Sequence, residues 1–500
     1  MTPDTVPHLI DGRPVAAPAG AAARTNLSPV DQKPVSATPM DSTDACERAI
    51  QAAARAFPAW AATPVGDRVQ CLFRFKHLME SHAAALADSV VREHGKTRAE
   101  AMGSVRRGID CVEFACGAPA LLMGRSLPQI AVSTSFCRTE DQGGVGIDSA
   151  VDRVPLGVCA GITPFNFPVM VPLWMWPMAV ACGNTFVLKP SEKVPASALR
   201  VAELAHEAGL PAGVLNVVHG GAAAVDHLIT HPLVRAVSFV GSTRAGEHVY
   251  RSATGAGKRA QCMCGAKNHS VIMPDANRGA AVEGLLGSAF GNAGQRCLAG
   301  SVAVCVGGSE EWLVPALAEA AGRMVVGPGC EPDVGMGPLV DREARSRVES
   351  FIEEGVREGA SLVLDGRRAG IRGAGAERGC FVGPTILDRT RPGMRVVDEE
   401  IFGPVLCVIR VATLDEAVAA INRSRYGNMS VIFTSSGHSA RRFRTTVQAG
   451  MLGVNVGVPA PMAAFPFAGG KESFFGDLHA NGEDGVRFFT RSQVTVSRWL

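Results

Sequence analysis

The sequence predicts an α/β protein of two lobes, each built on a largely parallel sheet, and three observations predict it. A chain of 500 residues is longer than one packed core requires. From Val154 onward, short apolar runs that end in glycine or proline alternate with longer helical stretches. A second alternation of the same kind begins near Ser270. Strand, helix and strand in that rhythm describe a sheet with crossover helices.

Taken in chain order, residues 44–61 form an amphipathic helix capped by Ser42, Thr43 or Asp44, and the helical pattern continues over 69–93. The glycine-rich polar stretch 139–151 reads as an extended hairpin or arm. Strands are expected at 185–188, 214–218 and 236–240, with a helix at 196–208 and another from Arg244. The second set has strands from Ser270 and at 301–307, 361–365, 406–411 and 430–434, with helices at 344–358 and from Asp415. The lobes join near residue 260, and no tandem repeat or low-complexity tract interrupts them.

Composition excludes several function classes. A hydrophobic fraction of 47% with 19% charged residues belongs to a folding chain. Lysine plus arginine at 49 against 47 acids leaves net +2, too even a balance for a long phosphate footprint, so nucleic-acid binding is not expected. The start MTPDTVPHLIDGRP lacks the basic and apolar blocks of an export signal, which points to the cytoplasm. The longest apolar run, 169–182, holds Pro172 and Pro177 and is too short to span a membrane. Fourteen cysteines without CxxC repeats or zinc-type histidine spacing point to no metal, and most read as small buried hydrophobes.

Five motifs bear on chemistry. Gly95-Lys96-Thr97 lacks the upstream glycine of a phosphate loop, whose place is taken by Val90, and the segment reads as helical. Gly241, Ser242 and Gly246 follow a strand and open a helix, where free N–H groups can face phosphates; an ordinary strand-to-helix turn has the same appearance. Lys189 and Glu192 end a strand at the carboxyl edge of the same sheet. A carboxylate there accepts both ribose hydroxyls and repels a 2′-phosphate, favouring NAD over NADP, while a solvated surface pair is the plain reading. Asn166, between aromatic residues and prolines in PFNFP, can donate to an oxyanion or merely stabilise a turn. Cys297 emerges from the glycine-rich GNAGQRC beside Arg296, whose field is expected to lower the thiol pKa.

In this order, PFNFP, LKPSE, FVGST, GAKNH, GQRC, EEIFGPV and VNVGVPAP, the chain resembles the aldehyde dehydrogenase superfamily over nearly its whole length. GAKNHSVIMPDAN and FPFAGGKESFFGDLHANG are similar to its CoA-acylating methylmalonate and malonate semialdehyde dehydrogenase branch. The resemblance implies a Rossmann-type NAD-binding domain at 1–130 and 152–261, a catalytic domain at 262–470 and an oligomerisation arm at 131–151 with 471–500, assembling a homotetramer. It implies Cys297 as nucleophile, with Asn166 and the Cys297 N–H as oxyanion donors. Lys189 and Glu192 would hold the adenosine ribose, with Lys193 close by, and Phe165, Gly241 and Ser242 would line the dinucleotide path. Glu400 and Phe402 would position the nicotinamide end, and Arg107 and Arg296 the substrate carboxylate.

The implied cycle is thiolate attack on the aldehyde, hydride loss to NAD, loss of the β-carboxylate as CO2, and acyl transfer to coenzyme A. Where hydrolytic members carry a glutamate base, this chain has Met263. A thioether cannot take a proton, which favours a thioester over a free acid. The alternative is a hydrolytic NAD-dependent enzyme using another base, such as Glu400.

Overall fold

The computed structural model describes residues 4–40, 42–128, 147–373 and 376–498. Two large sheets carry it. In the first, five parallel strands run in the order Leu215–Val217, Thr185–Lys189, Val158–Ile162, Val234–Val240 and Arg259–Met263. The antiparallel strands His8–Ile10 and Arg13–Val15 extend one edge, and Phe474–Phe475 closes the other. From Val158–Ile162 the chain winds outward in both directions, so the topological switch point falls between that strand and Val234–Val240. There the carboxyl ends of an open α/β sheet leave a crevice.

Strand residues alternate between the faces. Phe186 and Leu188 join the core on the side of helices Val65–Ser81, Met170–Ala181 and Pro195–Glu207, whereas Val187 packs with Thr43–Ala62, Ala222–Thr230 and Thr243–Gly255. Every residue of Met170–Ala181 is buried, which explains its unbroken hydrophobicity, and Pro177 sits inside it. Among the described residues no helix is long and apolar enough to cross a membrane.

The second sheet runs Ser361–Leu364, Thr385–Asp388, Val405–Val411, Gly300–Val306, Asn268–Ile272, Met429–Phe433 and Met451–Val454, all parallel except the first pair. A three-stranded antiparallel sheet pairs Thr490–Arg498 with Ile147–Pro155, and that strand with Arg125–Leu127. Ile147–Pro155 crosses the 151/152 boundary expected from the sequence, and Phe474–Phe475 lies within the first large sheet. The hairpin expected at 139–151 lies outside the described residues up to 146.

Asn184, fully buried, ties three segments together: its Oδ1 accepts from the N–H of Leu156 and Gly157, and its Nδ2 donates to the carbonyls of Ala179 and Phe489. The helix expected over 69–93 is two, Val65–Ser81 and Ala83–His94, broken at His82. Residues 95–97, read from sequence as helical, form an elbow between Ala83–His94 and Arg98–Cys116. Gly95 there takes the left-handed C-cap conformation and Thr97 caps the next helix. The helix Arg98–Cys116 carries Arg107.

Glu47 receives His227 and His231 at 3.0 and 3.1 Å, clasping Thr43–Ala62 to Ala222–Thr230. The Leu233 N–H donates to His231 Nδ1, so the proton of neutral His231 sits on Nε2 and points at Glu47. These contacts form a hydrogen-bonded clasp between the two helices.

Candidate active site

Cys297 lies just before strand Gly300–Val306, at the amino end of the second sheet, where the adjacent strand Asn268–Ile272 and the next one, Met429–Phe433, also begin. Asn268 and Asn428 at those strand entrances both donate their Nδ2 to the Cys297 carbonyl, each at 2.8 Å. The preceding turn is unusual. Asn292, Ala293 and Gly294 all have positive φ, at 54°, 50° and 68°, which costs about 1 to 2 kcal/mol per non-glycine residue.

Gln295, fully buried, offsets this cost. Its Nε2 donates to the Asn292 and Pro338 carbonyls, and its Oε1 accepts from Val340 N–H. At Gly294 a Cβ would sit 2.1 Å from the Gly403 carbonyl oxygen, so the glycine lets the turn lie directly on the loop that carries Glu400 and Phe402.

Two cavities meet at Cys297. One of about 180 Å³ is lined by Phe165, Asn166, Gly241, Ser242, Glu400 and Phe402 together with Cys297. The other, of about 300 Å³, is lined by Arg107, Arg296 and Cys297, with Lys96, Glu100 and Trp174. Nine of the twelve residues singled out from the sequence thus line these cavities, eight of them around the Cys297 sulfur. The other three sit outside both linings. Lys189 ends strand Thr185–Lys189, buried, with its Nζ 3.2 Å from Glu192. Burial raises the Glu192 pKa, but the Lys189 charge and nearby donors outweigh it and hold the carboxyl below its usual range. Lys193 is paired with Asp341 at 2.7 Å and lies over the Phe165 ring.

The smaller cavity starts at the sheet's switch point. Strand Val158–Ile162 leads into Pro164, Phe165 and Asn166, and Val234–Val240 leads into Gly241 and Ser242, the cap of helix Thr243–Gly255. A side-chain-free residue at a helix N-terminus, a carboxylate at the next strand end and a channel to a thiol suit a dinucleotide. Phe402, at φ 56°, sets its ring edge-on to Phe165 at 5.8 Å, and Phe165 stacks on His94.

Electrostatics correct one expectation. Burial, joined by the negative charge of Glu400, pushes the Cys297 thiol up to about 12, while the Cys297 and Leu298 N–H groups and Arg107 pull the other way. Arg296 does not supply the field expected of it: its guanidinium pairs with Glu100 at 3.0 Å and donates to the Gly287 carbonyl. Arg107 makes no ion pair among the described residues. It is exposed, donates to the Pro461 carbonyl at 3.1 Å and faces the larger cavity. Burial also raises the Glu400 carboxyl, against the Ala266 N–H that it accepts at 2.9 Å and the charges of Arg347 and Lys267.

Asn166 is buried; its Nδ2 donates to the Gln295 carbonyl at 2.9 Å, and the amide retains a second N–H. Met263 is buried at the end of its strand, its carbonyl accepting from Gly241 N–H.

Sequence reasoning missed Glu100, the Asn268 and Asn428 clamp, and Lys96. The spacing Thr97-x-x-Glu100 is a legible capping box, and both of its bonds form. The clamping amides carry no local signal, because their role exists only once three strands align.

The aldehyde dehydrogenase family profile matches residues 17–495. The chain belongs to the aldehyde dehydrogenase family. A malonate-semialdehyde dehydrogenase of Geobacillus kaustophilus is 51% identical over 461 residues, covering 92% of each chain. One of Geobacillus thermodenitrificans is 49% identical, covering 99% of each. The crystal structure of a methylmalonate-semialdehyde dehydrogenase from Oceanimonas doudoroffii is similar at TM-score 0.95 and 46% identity, covering 99% of both chains. A Sinorhizobium meliloti structure solved in complex with NAD is similar at TM-score 0.94 and 42% identity, covering 100% of this chain and 99% of that one.

With so high a thiol pKa, alkylation of Cys297 by iodoacetamide in dinucleotide-free protein, read by mass spectrometry of its peptide, should rise about tenfold per unit between about pH 7 and about pH 9.5. A plateau below about pH 8.5 would contradict the electrostatic picture.

Proposed function

We propose that the protein oxidises a semialdehyde carrying a carboxylate, of the malonate or methylmalonate type, with NAD, and passes the acyl group to coenzyme A. The observation that carries this reading is that one sulfur lines both cavities, with the dinucleotide-type groups on one side and Arg107 and Arg296 on the other. The names of the relatives and the NAD-bound neighbour support it.

Cys297 attacks the aldehyde carbon, and the negative charge that develops on oxygen is taken by the second N–H of Asn166 and by the Cys297 backbone N–H. NAD, held by Gly241, Ser242, Lys189, Glu192 and Phe402, with Lys193 nearby, supplies the hydride acceptor when bound. Glu400 borders the same cavity, and its raised pKa suits it to exchange a proton with the thiol. Arg107, with no acidic partner among the described residues, holds the substrate carboxylate, and Arg296 contributes from its place on Glu100.

The thioacyl group then loses its β-carboxylate as CO2, and the resulting enolate takes up a proton. The coenzyme A thiolate displaces Cys297, giving acetyl-CoA from malonate semialdehyde or propanoyl-CoA from the methyl homologue. Met263 offers no base for water. A hydrolytic second reading rests on Glu400, whose carboxyl could activate water instead. Domains at 1–130 with 152–261 and at 262–470, an arm at 131–151 and 471–500, a homotetramer and a cytoplasmic setting complete the proposal. Val494 and Val496, exposed on strand Thr490–Arg498, favour burial of the arm in an assembly.

Turnover of malonate semialdehyde should release NADH and yield acetyl-CoA only when coenzyme A is present; free acid formed at full rate without it supports the hydrolytic reading instead. In the same assay Arg107→Met should raise KM for the semialdehyde about 10- to 100-fold and leave propanal almost untouched. Equal effects on both aldehydes would remove Arg107 from carboxylate recognition.

A further inference from the structure

The Gly95-Lys96-Thr97 elbow puts a lysine where one is costly. Gly95, at φ +84°, turns the chain out of helix Ala83–His94, and a Cβ there would meet Pro338 at 2.6 Å and Pro29 at 2.8 Å. Thr97 then starts helix Arg98–Cys116, so Lys96 between them faces inward and is 1% exposed. Its Nζ donates to the Asn166 carbonyl at 2.6 Å and lies 4.2 Å from the centroid of the Phe167 ring. Among the described residues no carboxylate lies within ion-pair distance of it. Burial pulls the ammonium down to about 7, with Glu100 resisting and the Arg296 charge adding to the fall. A buried ammonium without a contacting counter-ion destabilises the fold, and the two contacts offset only part of that cost.

Both contacts fall on one short loop. Pro164 and Pro168 flank it, Thr163 N–H donates to the Lys189 carbonyl, and the Phe167 carbonyl accepts from Val171 N–H. The loop is thus tied at both ends to the first sheet and its buried helix, and Lys96 grips its centre. The Asn166 side chain reaches the other way, to Gln295 on the Cys297 turn.

We propose that Lys96 is a positioning residue for the oxidation step: from beneath the 164–168 loop its ammonium holds the Asn166 peptide, and so keeps the Asn166 amide beside the carbonyl that Cys297 attacks. This rests on the reading of Asn166 as an oxyanion donor. It also gives the Gly-Lys-Thr elbow a role unrelated to phosphate.

A double-mutant cycle tests it on the full-length enzyme with NAD, coenzyme A and malonate semialdehyde. Lys96→Met, close in length but without a donor, should lower kcat about tenfold or more with KM within about twofold of wild type, and should change kcat by less than about twofold in an Asn166→Ala background. Iodoacetamide alkylation of Cys297 should be unchanged in Lys96→Met, and Lys96→Arg, which keeps a charged donor, should recover most of kcat. Should Lys96→Met fail to fold, Lys96→Gln takes its place in the same cycle.

The proposal is overturned if the Lys96 loss is as large without the Asn166 amide as with it, if Lys96→Arg behaves like Lys96→Met, or if alkylation falls along with kcat. A rise in KM confined to carboxylate substrates with kcat intact would also overturn it, making Lys96 a direct substrate contact. Inactive wild-type enzyme would instead refute the assigned reaction, and full turnover by Asn166→Ala alone would refute the oxyanion assignment.

Discussion

The peptide carbonyl of Cys297, gripped by the amides of Asn268 and Asn428, is the constraint on which the rest of the site depends. Both amides stand where their strands begin, so the second sheet itself fixes the height and direction of the sulfur. The strained left-handed turn before it is held by Gln295 and lies directly on the Gly403 loop. Across the gap, the carboxyl ends of the first sheet present Asn166 and Gly241. The amino end of one sheet faces the carboxyl end of another, and the sulfur lies in the seam.

Burial sets the chemistry of that seam and works against the nucleophile. A half-buried thiol lying between two sheets with a carboxyl nearby resists ionisation, and the few favourable charges and N–H dipoles do not reverse this. The same enclosure raises the Glu400 carboxyl and lowers the Lys96 ammonium. Reactivity then has to come from geometry: a proton acceptor in the same cavity, fixed donors for the developing oxyanion and an approach that keeps water out.

Local patterns made much of this legible in the sequence. Strand and helix alternation pointed to the two sheets because most of their strands are short, apolar and soon followed by glycine or proline. FVGST closes a strand and opens a helix, as its spacing implied, and PFNFP follows the end of another strand, whereas EEIFGP was legible only through the family resemblance. The charge environment was not legible. Arg296 beside Cys297 suggests an activating field, yet Glu100, nearly two hundred positions earlier, captures it. Lys96 read only as part of a helical segment because nothing in three letters reveals that an elbow turns it inward. Short-range spacing encodes elements and caps; burial and ion pairing depend on contacts distant in sequence.

The central claim is that one sulfur, held in that seam, carries the acyl group between the two cavities. Protein incubated with NAD and malonate semialdehyde without coenzyme A, quenched in acid and digested, should carry a single acyl adduct on the Cys297 peptide, and added coenzyme A should remove it. An adduct on another cysteine, or NADH release with no adduct and no effect of coenzyme A, would contradict the account.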